Sequence, residues 1–493
     1  MSRVRSCPRA PASMNDSAGG LLPCLVLRLV PGTHASEMLL LSVLPVIALS
    51  FPSPAPTVCA TDGCNIARSN LVFSPIPLAS AALTFAWNES SQFPESALGC
   101  SGNGELVTCV GGAAMTFDAF SGKVLWQGDP ALWSGAAPVL TASSSVLVAD
   151  EAYLTAYAKD GGFEAQFDVT TPAVPLLNRH VIGPHLLSLG GDDYRALIVR
   201  RDATLLVHDI ELRLCWASLH LCAPPAERCG PDTSPSTPVL APVAAPATVG
   251  SLTYYPVSML SWPNGTISRP LLVAIAAGDT SVRIRTLWAL DLSVLGSAWS
   301  ANNASGVHAV DGVLLMHLFA DGLAPMLVAV RDDGTSGTLL WSRVDGASGF
   351  LGLAADPRGG AWVVGSAAGT HGGGQVLNRL ASATGEVLQT ADLAPLGLGR
   401  LVNQGRLVIH SCSSCDDSVP VLVAGFDGGD TGISIVAAVT LAAVTASVAW
   451  QVPVSRPIGQ LIVSVRQVSG AAGAAEYAVV FATAHGVVGL RLQ

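Results

Sequence analysis

The chain has 493 residues, 50% of them hydrophobic and only 12% charged, and it carries 50 glycines and 32 prolines. An ordinary soluble domain is roughly 25% charged, so this composition excludes a bundle of long surface helices and points to many short strands joined by tight turns. The net charge of −10, without any run of Lys or Arg, excludes an electrostatic footprint for nucleic acid.

The first element in chain order is an uncharged apolar stretch at 38–51, MLLLSVLPVIALSF. It is too short to span a bilayer comfortably, and small residues and prolines follow it. We read it as the core of a signal peptide within a targeting region at 1–55, which leaves 56–493 as a secreted or lumenal domain. The alternative is an uncleaved anchor at 38–51 holding a membrane-bound ectodomain. The cysteines beyond residue 55 fall in local groups: Cys59/Cys64, Cys100/Cys109, Cys215/Cys222/Cys229 and Cys412/Cys415. Their number is odd, and Cys215, in the apolar run LRLCWASL, is assigned as the free thiol. Cys59, Cys64, Cys100, Cys109, Cys222, Cys229, Cys412 and Cys415 sit among turn residues and are candidates for local bridges in an oxidising compartment. The sequons at Asn88, Asn264 and Asn303 fit the same compartment as glycosylation candidates.

A short Val/Leu-rich strand then recurs at 105–111, 145–151, 195–201, 270–276, 325–331, 361–367, 420–426 and 477–483. After most copies comes a second marker: an Asp, a turn, and a strand that ends on an aromatic residue. Asp118 leads to Trp126, Asp291 to Trp299 and Asp333 to Trp341, each eight positions apart, while Asp209 leads to Trp216 in seven. Weaker copies end at Phe167, Gln389 and Trp450. One large flat side chain per unit is suited to filling the gap between neighbouring sheets, so Trp87, Trp126, Trp216, Trp299, Trp341 and Trp450 are assigned to packing between units. The apolar run 432–450 lacks charge but is rich in Val, Thr and Ile, and is read as two strands rather than a transmembrane helix.

The last unit stops at Gln493 before its aromatic ending, and the strand AALTFAW, ending at Trp87, has no unit before it. Pairing the two closes a ring and removes exposed sheet edges. The expected fold is therefore an all-β propeller of eight four-stranded blades, seven being the alternative count, closed by the N-terminal strand on the C-terminal blade. The interval from Trp216 to Trp299 is nearly double the others, and about 217–269 is read as a long insertion, a candidate partner surface.

The Asp-x-x-x-Gly-x-x-x-Trp spacing resembles the repeats of the quinoprotein (pyrroloquinoline-quinone, PQQ) propellers, with TFDAFSGKVLW the best copy and LWALDLSVLGSAW the second. The resemblance covers about 75–493; no Trp-Asp dipeptide supports a WD40 reading. It implies a quinone on the propeller axis, Ca²⁺ held by carboxylate and amide oxygens, an Asp base and a bridge between adjacent cysteines. The chain has no adjacent Cys-Cys pair, and no residue aligns with the calcium ligands, so no catalytic or cofactor-binding residue is carried over. PQQ and Ca²⁺ enter only under the alternative of a diverged dehydrogenase.

The densest polar cluster is HSCSSCDD at 410–417. His410, Cys412 and Cys415 have the donor types for Zn²⁺, or the two cysteines form a dithiol. The structural alternative is a disulfide-pinned loop between two blades. THGGGQ at 370–375 lacks the Gly-x-Ser-x-Gly partner of an oxyanion loop. The pairs Asp192-Asp193, Asp332-Asp333 and Asp416-Asp417, and DGGDTG at 427–432, are read as solvated turns. The functional expectation is a monomeric, non-enzymatic binding or scaffolding propeller for a protein or glycan partner, with contact to a membrane only through 38–51.

Overall fold

A computed structural model describes residues 71–72, 83–89, 99–102 and, from 104 to 492, all but 111–112, 129–137, 141–144, 150–152, 169–183, 191–192, 200–202, 210–214, 223–237, 262–265, 278–283, 297–305, 321–322, 345–351, 367–374, 402–406, 411–418, 429–432, 443–444, 456, 468–474 and 484–485. Two strands, β1 (Leu71–Val72) and β2 (Leu83–Glu89), come first. The rest come in fours. Set 1 is β3 (Gly99–Gly102), β4 (Leu106–Val110), β5 (Ala114–Asp118) and β6 (Val124–Gln127). Set 2 is β7 (Val139–Leu140), β8 (Val146–Ala149), β9 (Tyr153–Tyr157) and β10 (Phe163–Asp168). Set 3 is β11 (His185–Gly190), β12 (Asp193–Val199), β13 (Thr204–Asp209) and β14 (Cys215–Cys222). Set 4 is β15 (Val239–Pro242) with its continuation β16 (Ala247–Val249), then β17 (Leu252–Ser261), β18 (Thr266–Ala277) and β19 (Ile284–Asp291). Set 5 is β20 (His308–Val310), β21 (Val313–Leu318), β22 (Met326–Asp332) and β23 (Gly337–Val344). Set 6 is β24 (Leu353–Ala355), β25 (Ala361–Ser366), β26 (Gln375–Leu380) and β27 (Val387–Asp392). Set 7 is β28 (Val408–His410), β29 (Val421–Phe426), β30 (Ile435–Leu441) and β31 (Ala446–Pro453). Set 8 is β32 (Pro457–Gln467), β33 (Ala475–Thr483) and β34 (Gly486–Leu492), and β2 supplies its fourth strand.

Each set is an antiparallel meander in chain order. Sets 3 and 4 merge into one nine-stranded sheet through Leu221↔Leu240 and Cys222↔Val239, so the described residues form seven hydrogen-bonded sheets. Burial orders the strands within a set. The first strands β7, β20, β24 and β28 are wholly buried, whereas the fourth strands β6, β27 and β31 alternate buried and exposed residues. First strands therefore lie innermost and fourth strands at the rim.

The core is a succession of layers between sets. Leu140 and Val148 of set 2 meet Val110 and Trp126 of set 1, and Tyr254 and Trp288 of set 4 meet Met316 and Val328 of set 5. The last layer places Ile462 and Val480 of set 8 against Val107 and Phe117 of set 1, which closes the succession. The same seam is fastened by charge. Glu476 pairs with both Arg466 and Arg491, and the Arg466 guanidinium lies 4.3 Å over the Phe120 ring in the β5–β6 turn of set 1. Trp87 pairs in register with Gly489, so the N-terminal strand completes the C-terminal sheet as its sequence implied.

One irregularity repeats in every fourth strand. The ladder slips by one residue at Ala86, Leu125, Glu164, Trp216, Leu287, Leu340, Leu388 and Ala449, a β-bulge that twists an otherwise open edge. The residue after the bulge is Trp87, Trp126, Ala165, Ala217, Trp288, Trp341, Gln389 or Trp450. Opposite the tryptophans stand small residues: Gly489, Thr116, Ala274, Ala329 and Ala438. Side chains packed at this position meet the turn of the next set. A methyl added at Gly161 would lie 2.5 Å from Trp126, and one at Gly385 would lie 2.7 Å from Trp341, so both turns need glycine for close approach. Trp341 donates its indole N–H to the Ser382 carbonyl in set 6, and Gln389, replacing a Trp, donates to the Ala442 carbonyl in set 7.

This register corrects the packing assignment of Trp216. Trp216 is the bulged residue itself; it is 39% exposed, with Arg195 4.7 Å over its ring. Set 4 uses Trp288, 4% exposed, at the post-bulge position, and Trp299 lies outside the described residues. Phe167 is buried two residues beyond the corresponding position, Ala165, and stacks 4.0 Å from His208. Of the recurring Val/Leu strands, six are second strands, but 270–276 and 325–331 are third strands. The stretch read as an insertion, about 217–269, holds β15, β16 and β17 and the start of β18, which build set 4. The run 432–450 forms β30 and most of β31, and among the described residues no helix is long and apolar enough to cross a membrane.

Asp118 shows why the β5–β6 hairpin of set 1 holds its shape. Its carboxylate accepts from the Phe120 and Ser121 backbone N–H groups and the Ser121 hydroxyl. Burial pushes its pKa up, yet these hydrogen bonds outweigh burial and hold it below the usual carboxylate value. Asp118→Ala should cost about 1–2 kcal/mol in chemical denaturation, with Asp118→Asn losing less, because an amide oxygen still accepts.

Candidate functional site

Antiparallel connectivity divides the ring into two ends. The connections from first to second strand and from third to fourth emerge at one end; those from second to third strand and from set to set emerge at the other. At the first end four acids are occupied with structure. Asp332 accepts from the Tyr254 hydroxyl at 2.7 Å, the Trp288 indole N–H at 2.9 Å and the Gly334 backbone N–H at 2.7 Å. Asp311 accepts from the Gly360 backbone and the Ser382 hydroxyl, which ties set 5 to set 6. The buried Asp356 takes a bidentate Arg358 and the Trp362 indole, with Arg379 at 3.5 Å. Asp333 accepts from Thr338 and Arg331, whose hydrogen bonds hold its pKa below the usual value. Asp332 and Asp333 thus point to different partners and form no shared-proton dyad. Asp192, Asp416 and Asp417 lie outside the described residues, as does the HGGG stretch.

His410 is the last residue of β28, so the cluster 410–417 leads from the first to the second strand of one set instead of linking two blades. Its ring is 1% exposed with no hydrogen bond at either nitrogen, and burial pushes its pKa down to about 3. Cys412 and Cys415 lie outside the described residues. No group of three or more His, Cys, Asp or Glu is placed to hold a metal ion among the described residues. Asp311, Asp332, Asp333 and Asp356 are occupied by the indole, hydroxyl, backbone and guanidinium donors named above. These residues do not fit a calcium-held quinone.

Cys100 and Cys109 form a disulfide directly across β3 and β4. Cys215, expected to be free, is disulfide-bonded, and so is Cys222. Seven positions apart on one extended strand, they stand roughly 20 Å from each other, too far to bridge mutually. Cys215 escapes the core because it sits beside the bulge at the rim, where it is only half-buried. Cys59, Cys64, Cys229, Asn264 and Asn303 are outside the described residues; Asn88 is on β2 at the rim.

The feature that stands out lies at the opposite end, on sets 3 and 4. The β17–β18 ladder runs from Leu252↔Ala276 to Ser261↔Thr266, while β19 pairs with β18 only from Leu271 onward. The hairpin therefore rises past the outer strand by about 13 Å. On its inner side β15 pairs with β17 up to Leu260 and with the end of β14, so the wall spans two sets without a break. At its foot Arg269 holds a left-handed backbone (φ 52°) and pairs with Asp291 at 3.7 Å.

No protein-family model matches the chain, and no curated protein sequence matches it. Solved structures do. A quinohemoprotein alcohol dehydrogenase, ADHIIG from Pseudomonas putida HK5, matches with TM-score 0.55 and 12% identity over 89% of this chain and 80% of that one. A europium-containing methanol dehydrogenase matches with TM-score 0.53 and 12% identity over 88% and 90%. BamB from Moraxella catarrhalis gives TM-score 0.39 and 11% identity over 84% and 98%. At these identities the likeness to the two dehydrogenases shows the fold alone, that of a β-propeller.

Proposed function

We propose that the protein is an exported, eight-bladed propeller that binds a protein or glycan partner without catalysing a reaction on it, using the raised wall of sets 3 and 4. The observation that carries this reading is the β17–β18 hairpin, a regular ladder that extends beyond its own sheet at the end where the longer connections gather. Projections on rigid scaffolds are suited to recognition. The disulfide state of Cys100, Cys109, Cys215 and Cys222 supports folding in an oxidising compartment.

To test it, residues 260–267 are replaced by Asn-Gly, the favoured two-residue hairpin turn, and the parent and trimmed proteins are used to capture partners from the medium or lumen of a secreting host. The expected result is at least tenfold weaker capture by the trimmed protein, with Tm within a few degrees of the parent. Equal capture by both removes the wall from the function. Saturable binding of pyrroloquinoline quinone with Ca²⁺, accompanied by dye reduction, overturns the non-enzymatic reading.

A further inference from the structure

Among the described strands one pair is parallel. β1 lies beside β28, with Leu71 opposite Ile409 and Val72 opposite His410. β28 is the innermost strand of set 7, so β1 occupies an edge that faces the ring's axis. The first strands of sets 1, 2, 3, 5, 6 and 8 end their sheets, and β15 is covered by β14, so set 7 differs from the rest in taking an added strand there. The contact covers two residue pairs, whereas β2 is held to β34 by six. The ten residues between Val72 and Leu83 reach about 33 Å. Four strands cover only about 15 Å from inner edge to rim. Ring closure by β2 therefore does not depend on β1. The edge ends at His410, whose buried ring lacks a hydrogen-bond partner, so the pairing lies where the fold leaves polar groups unsatisfied.

We propose that the inner edge of β28 is a strand-accepting site facing the axis, filled in cis by β1 and available to an extended apolar peptide in parallel orientation when β1 lets go. Main-chain pairing supplies the affinity in such augmentation. Two parallel pairs make β1 the most weakly held strand of its sheet, while the rest of the ring keeps the edge in place.

The test uses the full chain carrying Leu71→Pro and Val72→Pro, which removes both N–H donors, and follows deuterium exchange at 408–410, in β2 and in β34. Exchange at 408–410 should be at least tenfold faster than in the parent, with β2 and β34 unchanged. A synthetic peptide of residues 66–76 at millimolar concentration should return it to the parent rate. Unchanged exchange at 408–410, faster exchange that the peptide does not reverse, or parallel loss of protection in β2 and β34 would each overturn the proposal.

Discussion

Lowering the pH from 7.5 to 5 should destabilise this propeller far more than its carboxylates alone would. His208, His317 and His410 are buried, with relative exposures of 0%, 3% and 1%. Burial pushes their pKa values down from 6.5, to about 4, 4 and 3 respectively. In the unfolded chain each takes up a proton below about 6.5, while in the folded protein it stays neutral. The unfolded state then binds more protons, so stability is complete above about pH 6.5 and falls as pH drops toward 4. At pH 5 the loss is on the order of 2 kcal/mol per histidine, since each pH unit below the unfolded value costs about 1.4 kcal/mol. Denaturant unfolding at several pH values reads this slope directly. His410→Leu and His317→Leu should each flatten it by about 1.4 kcal/mol per pH unit between 6.5 and 4. A slope that neither substitution changes would mean these rings are not neutral guests of the fold.

Trp288→Ala should cost about 3–5 kcal/mol, the range for truncating a large buried ring. The ring is 4% exposed, fills the layer between sets 4 and 5, and donates to Asp332. Gly337→Ala attacks the same contact from the other side. Its added methyl would lie 2.6 Å from the indole, and relieving that overlap should cost about 1–3 kcal/mol. Trp216→Ala should cost under about 1 kcal/mol, the worth of an exposed cation–π contact. Urea unfolding of the three variants tests the bulge register, because a reading by Asp–Trp spacing makes Trp216 a wedge and takes no notice of Trp288. Comparable losses at Trp216 and Trp288 would contradict the structure's assignment.

Sequence spacing located Trp126, Trp341 and Trp450 because in those units turn and strand have the same length. It selected Trp299 because Asp291 stands eight residues before it, although Asp291 ends β19 and caps the backbone N–H of Ser293. It placed Trp216 on the wrong face for a different reason. A bulge reverses the side of one residue without leaving a composition signal, and Cys215 and Trp216 straddle that reversal. Set 4 was hidden because its long second and third strands, β17 and β18, stretch the period. Among the cysteines, Cys100 and Cys109 were legible as a local pair because they flank a hairpin, whereas the apolar run around Cys215 gave no sign of its bond.

Composition, strand-period hydrophobicity and recurrent turns were enough to specify an all-β repeat and its closure through Trp87, since these signals are local or belong to the chain's two ends. The innermost position of β1, the raised wall on sets 3 and 4, the bulge at the same place in each fourth strand and the burial of unpartnered His410 came only with the folded chain. Each depends on the register of one strand against another. A shift of one residue there exchanges core for surface at no cost to composition or spacing, and it is resolved by packing among residues far apart in sequence.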